Sequence, residues 1–173
     1  MIHPVAGVRL AAVAAGIKKK DRRDLVVLEL AQGTRCAAVF TTNRFCAAPV
    51  QVAREHLALT SPRYLMINTG YANAGTGTKG MENCLATCAL LAQETGCQAT
   101  EVLPFSTGVI GELFPFSAFE AGLPKALGVL TDAGWDEAAQ GIMTTDTHAK
   151  MASRQVQSGP QVFNVTAIAK GSG

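Results

Sequence analysis

Tyr64-Leu65-Met66-Ile67-Asn68 is an apolar run of the buried-strand type, and it empties into Thr69-Gly70-Tyr71-Ala72-Asn73-Ala74-Gly75-Thr76-Gly77-Thr78-Lys79-Gly80, the polar, glycine-rich centre of the chain. Met81 to Thr95 follows with helical spacing, Leu85, Cys88, Ala89 and Ala92 on one side, and Gly96 supplies a C-terminal stop. Glu101 to Phe105 repeats the theme: a strand leading into a turn of small residues, Ser106-Thr107-Gly108-Val109-Ile110-Gly111. Two strands thus end in polar glycine loops, in a chain that reads as mixed α/β.

Upstream, Asp24 to Leu30 and Thr34 to Phe40 flank Gln32-Gly33 and are expected to pair as an antiparallel hairpin, with Gly7 to Val13 as an edge strand or a short apolar arm. The proline of Ala48-Pro49-Val50-Gln51-Val52 predicts an extended segment, followed by a short helix over Val52 to Leu59. Downstream, Phe116 to Ala121 and Leu123 to Leu130 read as two short helices separated by Gly122, and Asp132 to Ile142 as a helix capped by Asp132. Lys150 to Gln157 and Gln161 to Ala169 read as strands joined by Ser158-Gly159-Pro160. With no linker, repeat or low-complexity segment, residues 1–173 are expected to form a single domain.

The totals narrow the function. The chain is 48% hydrophobic, with a mean hydropathy of +0.19, which implies a sizeable core. Only 16% of residues are charged, fewer than usual, so part of the surface is expected to be covered by a partner. Fifteen Lys and Arg against thirteen Asp and Glu leave +2, too little for a nucleic-acid footprint. The one basic run, Lys18-Lys19-Lys20-Asp21-Arg22-Arg23, reads as a solvated loop. No signal peptide or membrane span is evident, which points to the cytoplasm. The five cysteines show no metal-ligand spacing and read as reduced structural thiols.

Three motifs bear on chemistry. Gly75-Thr76-Gly77-Thr78-Lys79-Gly80 matches GxGxxG before a helix, and a nucleotide-binding enzyme using this loop is the alternative reading. The match is weak, because in a dinucleotide site the first glycine follows its strand at once, whereas Thr69 to Ala74 intervene here. Ser106-Thr107-Gly108 can aim one hydroxyl and one backbone N–H at a single point, the requirement for stabilising an oxyanion. Neither a GxSxG nor a histidine at triad spacing accompanies it, and Asp146 beside His148 reads as a solvated loop pair. The donors thus lack a nucleophile.

Taken together, Asp24-Leu25, Ala38 to Val50, Asn68 to Ala74, Ser106 to Glu112, Thr144-Thr145-Asp146-Thr147 and Ala169-Lys170-Gly171-Ser172-Gly173 resemble the ornithine acetyltransferase family of arginine biosynthesis, often called the ArgJ family. The motifs run through nearly the whole chain in family order. The resemblance implies a precursor that cuts itself before a threonine; this sequence looks like the α chain, ending just before the cut, and the nucleophile would be the N-terminal Thr of the β chain. It implies an αββα layered architecture of the DmpA/ArgJ type, of which the α chain forms one half, and assembly with the β chain as an α2β2 heterotetramer. The implied reaction is transfer of acetyl from N-acetylornithine to glutamate, with no cofactor and with acetyl-CoA left open as a co-substrate. By motif, Thr107 and Gly108 resemble the oxyanion hole, and Thr144 and Lys170 look like substrate-binding residues.

Overall fold

A computed structural model describes residues 1–171. Its centre is a four-stranded sheet in the order β1 (Val8–Val13), β2 (Leu25–Leu30), β3 (Tyr64–Tyr71), β4 (Val102–Val109). The first two pairings are antiparallel and β3 pairs β4 in parallel, with the helix α2 (Gly77–Thr95) in the crossover. The strand side chains alternate between two cores, as the pleat requires. Leu25, Val27, Tyr64 and Met66 point into the larger core beneath α1 (Ala48–Leu59), α2 (Gly77–Thr95) and α3 (Phe116–Gly128). Leu10, Val26 and Leu28 point the other way, into a core shared with Trp135, Ala138 and Ile142 on and beside α4 (Trp135–Gly141). Met151 and Ile168 of the hairpin β5 (Lys150–Ser158) and β6 (Gln161–Ala169) pack against that second core. The hairpin is tied to the N-terminal arm through Thr166 Oγ1, which donates to His3 O at 2.6 Å, and Asn164 Nδ2, which donates to Pro4 O at 2.6 Å. The order is therefore a helix layer, a mixed sheet, and a second, two-stranded sheet with α4.

Several sequence expectations are corrected. Thr34 to Phe40 does not pair with β2, because both edges of β2 are occupied, by β1 and by β3. That segment has no regular structure, and Val39 is 98% exposed. Residues 48–52 are helical, not extended: Pro49 lies in the first turn of α1, where its missing N–H costs nothing. Gly122 does not divide two helices. It sits inside α3 because a Cβ there would fall 2.6 Å from Ala15 Cβ and 3.0 Å from Leu25 Cδ2, so glycine serves helix-to-sheet packing. Asp132 does not cap α4; Thr131 exchanges two backbone hydrogen bonds with Leu10, which pins the chain to β1 and delays the helix to Trp135.

Candidate active site

The expected glycine loops at Asn68 to Tyr71 and Ser106 to Gly108 are the paired ends of β3 and β4 instead. Asn68 faces Ser106, Thr69 faces Thr107 and Gly70 faces Gly108, beyond which the register is irregular at Tyr71. Ser106 Oγ donates to Asn68 Oδ1 at 2.6 Å, and Asn68 Nδ2 donates to Tyr71 O at 3.0 Å, so the strand ends are cross-linked by side chains as well as by the ladder. Glycine is needed at both positions. Gly70 has φ +109° and Gly108 φ +136°, and a Cβ on Gly108 would lie 2.5 Å from Gly70 O and 2.6 Å from Tyr71 N.

Above these strand ends lies an open cavity of about 470 Å³, lined among others by Thr107, Gly108, Thr144 and Lys170. All four residues singled out by motif thus meet in one place, although they come from β4, from the loop after α4 and from the end of β6. Lys18, Lys19 and Arg22 line the same cavity, which corrects the reading of that basic run as a merely solvated loop.

The run is held in place by Asp24, which is buried and whose carboxylate accepts three backbone N–H bonds, from Ala15 (2.8 Å), Ile17 (2.6 Å) and Lys18 (3.3 Å). These bonds satisfy a buried charge that would otherwise be costly. They also occupy acceptor sites of the one acid in the cavity lining, where four cations, Lys18, Lys19, Arg22 and Lys170, outnumber it and make a surface suited to carboxylate-bearing ligands. The Lys18 stem lies against Gly70, and its ammonium sits 4.3 Å from the centroid of the Tyr71 ring and 2.9 Å from Glu112 Oε2. The Glu112 hydrogen bond, foremost, holds the Lys18 ammonium above its ordinary pKa.

The loop that carries Thr144 is gripped from two sides. Arg22 donates to Met143 O at 2.5 Å and to Thr144 O at 3.3 Å. Asp146, expected as a solvated partner of His148, is instead buried: its side chain is 1% exposed and accepts from Thr144 N at 3.1 Å, Gly171 N at 2.9 Å and Lys150 Nζ at 2.8 Å, with Lys170 Nζ at 3.6 Å. The Lys150 hydrogen bond, then the two backbone N–H bonds and the charge of Lys170, hold its carboxyl well below the usual carboxylate range against the opposing effect of burial. His148 Nδ1 lies 3.1 Å from Thr147 Oγ1 on the exposed side.

The Gly75–Gly80 loop lies elsewhere, lining a separate cavity of about 430 Å³ with Arg44, Phe45 and Gln51. Its interior is filled by its own side chains: Thr76 Oγ1 donates to Asn73 Oδ1 at 2.7 Å, and Asn73 Nδ2 donates to Gly80 O at 2.9 Å. Among the described residues no group of three or more His, Cys, Asp or Glu is placed to hold a metal ion, and no helix is long and apolar enough to cross a membrane.

Residues 9–173 match the family model described as the ArgJ family. The chain belongs to the ArgJ family. It is 51% identical over 170 residues to the arginine biosynthesis bifunctional protein ArgJ of Methylococcus capsulatus, and 51% identical over 172 residues to the protein of that name from Psychrobacter arcticus. These alignments cover 98% and 99% of this chain but 41% and 42% of the relatives, so the chain spans about two-fifths of the length of the curated ArgJ proteins that it matches. In structure it is similar to the arginine biosynthesis bifunctional protein ArgJ of Bacillus halodurans, with a TM-score of 0.89 and 30% identity over 98% of this chain and 88% of that one. It is also similar to the ornithine acetyltransferase of Mycobacterium tuberculosis solved in complex with ornithine, with a TM-score of 0.82 and 34% identity over 98% and 90% of the two chains. The ArgJ fold expected from the motifs is therefore the fold observed.

Sequence reasoning found the four motif residues of this ArgJ-family chain but passed over the groups that hold them: Asp24, Arg22 and Asp146. The signal for these was weak. Arg22 stands within a basic run, Asp24 at its end and Asp146 within a hydroxyl cluster, and their partners lie anywhere from 2 to 122 residues away along the chain.

Proposed function

We propose that the protein of which this chain is a part transfers the acetyl group of N2-acetyl-L-ornithine to L-glutamate, giving L-ornithine and N-acetyl-L-glutamate for arginine biosynthesis. The observation that carries the reading is the meeting of Thr107, Gly108, Thr144 and Lys170 at one cation-rich cavity in a chain of the ArgJ family. Thr107 Oγ1 and Gly108 N–H donate to the oxyanion that forms on the acetyl carbonyl, and Lys170 and Thr144 hold the amino-acid portion of the substrate, Lys170 through its carboxylate.

The nucleophile is the N-terminal threonine of a β chain released from the same precursor by self-cleavage. Its hydroxyl attacks the acetyl carbonyl and loses its proton to the threonine α-amine; the C–N bond breaks and ornithine leaves as the amine, taking that proton, with acetyl now an ester on threonine. Glutamate's α-amine then attacks the ester and restores the hydroxyl. Acetyl-CoA serves as a second acetyl donor in a bifunctional enzyme of this class, no cofactor is required, and the assembly is an α2β2 heterotetramer in the cytoplasm. The two-chain reading is supported by proportion, since the chain covers most of each solved relative's chain but two-fifths of each curated ArgJ protein. It is also supported by the individually exposed apolar side chains of Phe105, Ile110, Val162, Phe163 and Val165, of the kind that a second chain covers.

The test begins with intact mass and N-terminal sequencing of the expressed full-length protein, followed by an assay of acetyl transfer. A second polypeptide beginning with threonine, and transfer reduced about 100-fold in Thr107→Ala, are expected, the latter from the loss of about 3 kcal/mol with one oxyanion donor. A single uncut chain that transfers acetyl, or full activity in Thr107→Ala, refutes the mechanism.

A further inference from the structure

Nothing in the proposed chemistry requires Asp146, which is not itself in the cavity lining, yet its carboxylate engages both Thr144 and Lys170, which are. Its two oxygens divide the work. Oδ1 takes Lys150 Nζ and the Gly171 N–H, and Oδ2 takes the Thr144 N–H and faces Lys170 Nζ. One side chain, 1% exposed, therefore binds the loop after α4, the start of β5 and the segment at the end of β6. Arg22 reaches the carbonyl side of the Thr144 loop only, and Lys150, 34% exposed, points its charge at Asp146 rather than into the cavity lining. The link from Thr144 to Lys170 thus runs through this carboxylate.

We infer that Asp146 is a positioning residue that sets the separation of Thr144 from the Lys170 ammonium, and thereby the fit of the cavity to the carboxylate of its amino-acid substrates. Thr144 is placed through its backbone N–H, so its side chain is presented from a fixed point. Lys170 is placed by charge at 3.6 Å, close enough to orient the ammonium and far enough to leave its hydrogen-bond donors for a ligand. The Gly171 bond fixes the chain immediately after Lys170, so the lysine is held on both its backbone and its head. Without the carboxylate, Lys170 would be a long side chain of many rotamers, and the substrate would have to order it on binding.

This inference rests on the proposed acetyl transfer only for its kinetic readout, so the experiment carries a second readout that does not. In the full-length assembled protein, Asp146→Asn is compared with wild type, alone and in a Lys170→Met background. The KM for N-acetylornithine should rise about tenfold, the effect of removing one charge-assisted hydrogen bond to the substrate, with kcat within about threefold. In the Lys170→Met background the same change should add less than about twofold, because the two act through one interaction. Independently, reductive methylation of Lys170, measured by mass spectrometry against the exposed Lys125, should quicken about fivefold in Asp146→Asn, since its carboxylate partner is gone.

A change in kcat with KM untouched, or multiplicative effects of the two substitutions, overturns the inference, as does unchanged labelling of Lys170. If wild type transfers no acetyl, the functional reading fails, and the labelling alone decides the role of Asp146. Asp146→Glu keeps the charge and shifts it by one methylene, so it should retain the fold and still raise KM. If neither variant folds, Asp146 serves the fold rather than the site and the inference is wrong.

Discussion

Replacing Gly108 by alanine tests the geometry on which the site depends. The structure supplies two separate penalties. At φ +136° an L residue is in a region that only glycine enters freely, at a cost of about 1–3 kcal/mol. The added Cβ would also sit 2.5 Å from Gly70 O and 2.6 Å from Tyr71 N, main-chain atoms that cannot rotate away, and forcing them apart costs about another 1–3 kcal/mol. The sum, about 2–6 kcal/mol, corresponds to a fall in Tm of about 4–24 °C at the roughly 2–4 °C per kcal/mol expected for a chain of this size. Gly96→Ala is the control: its φ is +71° at the C-terminal end of α2, but no atom lies within 4 Å of the added Cβ, so only the conformational cost of about 1–2 kcal/mol applies. Thermal unfolding of the assembled protein, followed by circular dichroism, measures both. The reasoning fails if Gly108→Ala melts no lower than Gly96→Ala, because β3 and β4 would then not approach as closely as the parallel register requires.

Further expectations follow from the ionisable groups and the thiols. Because the folded carboxyl of Asp146 is held below its unfolded value, its contribution to stability is present above about pH 4 and is lost as pH falls through the folded pKa; Tm in acid should therefore drop more steeply for wild type than for Asp146→Asn. Tyr64 donates to Glu29 Oε1 at 2.9 Å, and burial, together with this bond, pushes its hydroxyl up to about 12. The stability it adds is complete below about pH 10 and is lost as pH rises toward 12; a phenolate absorbance titration should show a late step that Tyr64→Phe abolishes. Cys84 and Cys88 are buried on one face of α2, and the hydrogen bond with Cys84, then burial, pushes the Cys88 thiol up. Alkylation followed by peptide mapping should mark the exposed Cys36 first and reach these two only on unfolding; rapid labelling of Cys88 in the native protein would contradict the packing.

What was legible in the sequence was local or carried by motif. The α2 helix announced itself through spacing and Gly96, and the β5–β6 hairpin through its turn, because their hydrogen bonds close between near neighbours. Thr107, Gly108, Thr144 and Lys170 were legible because their motifs stand in the order of the ArgJ family. Tertiary structure decided the rest. Whether Thr34 to Phe40 pairs with β2 depends on which other strands reach β2 first, and β1 and β3 do. Whether Gly122 breaks a helix or fits one against Ala15 depends on the sheet beneath it. Asp24 and Arg22 take their roles from backbone groups that folding brings near, and Asp146 joins its sequence neighbours Thr144 and Lys150 to Lys170 and Gly171, which only folding brings near. A carboxylate's hydrogen-bond partners are chosen by proximity in space, and no spacing along the chain records that choice.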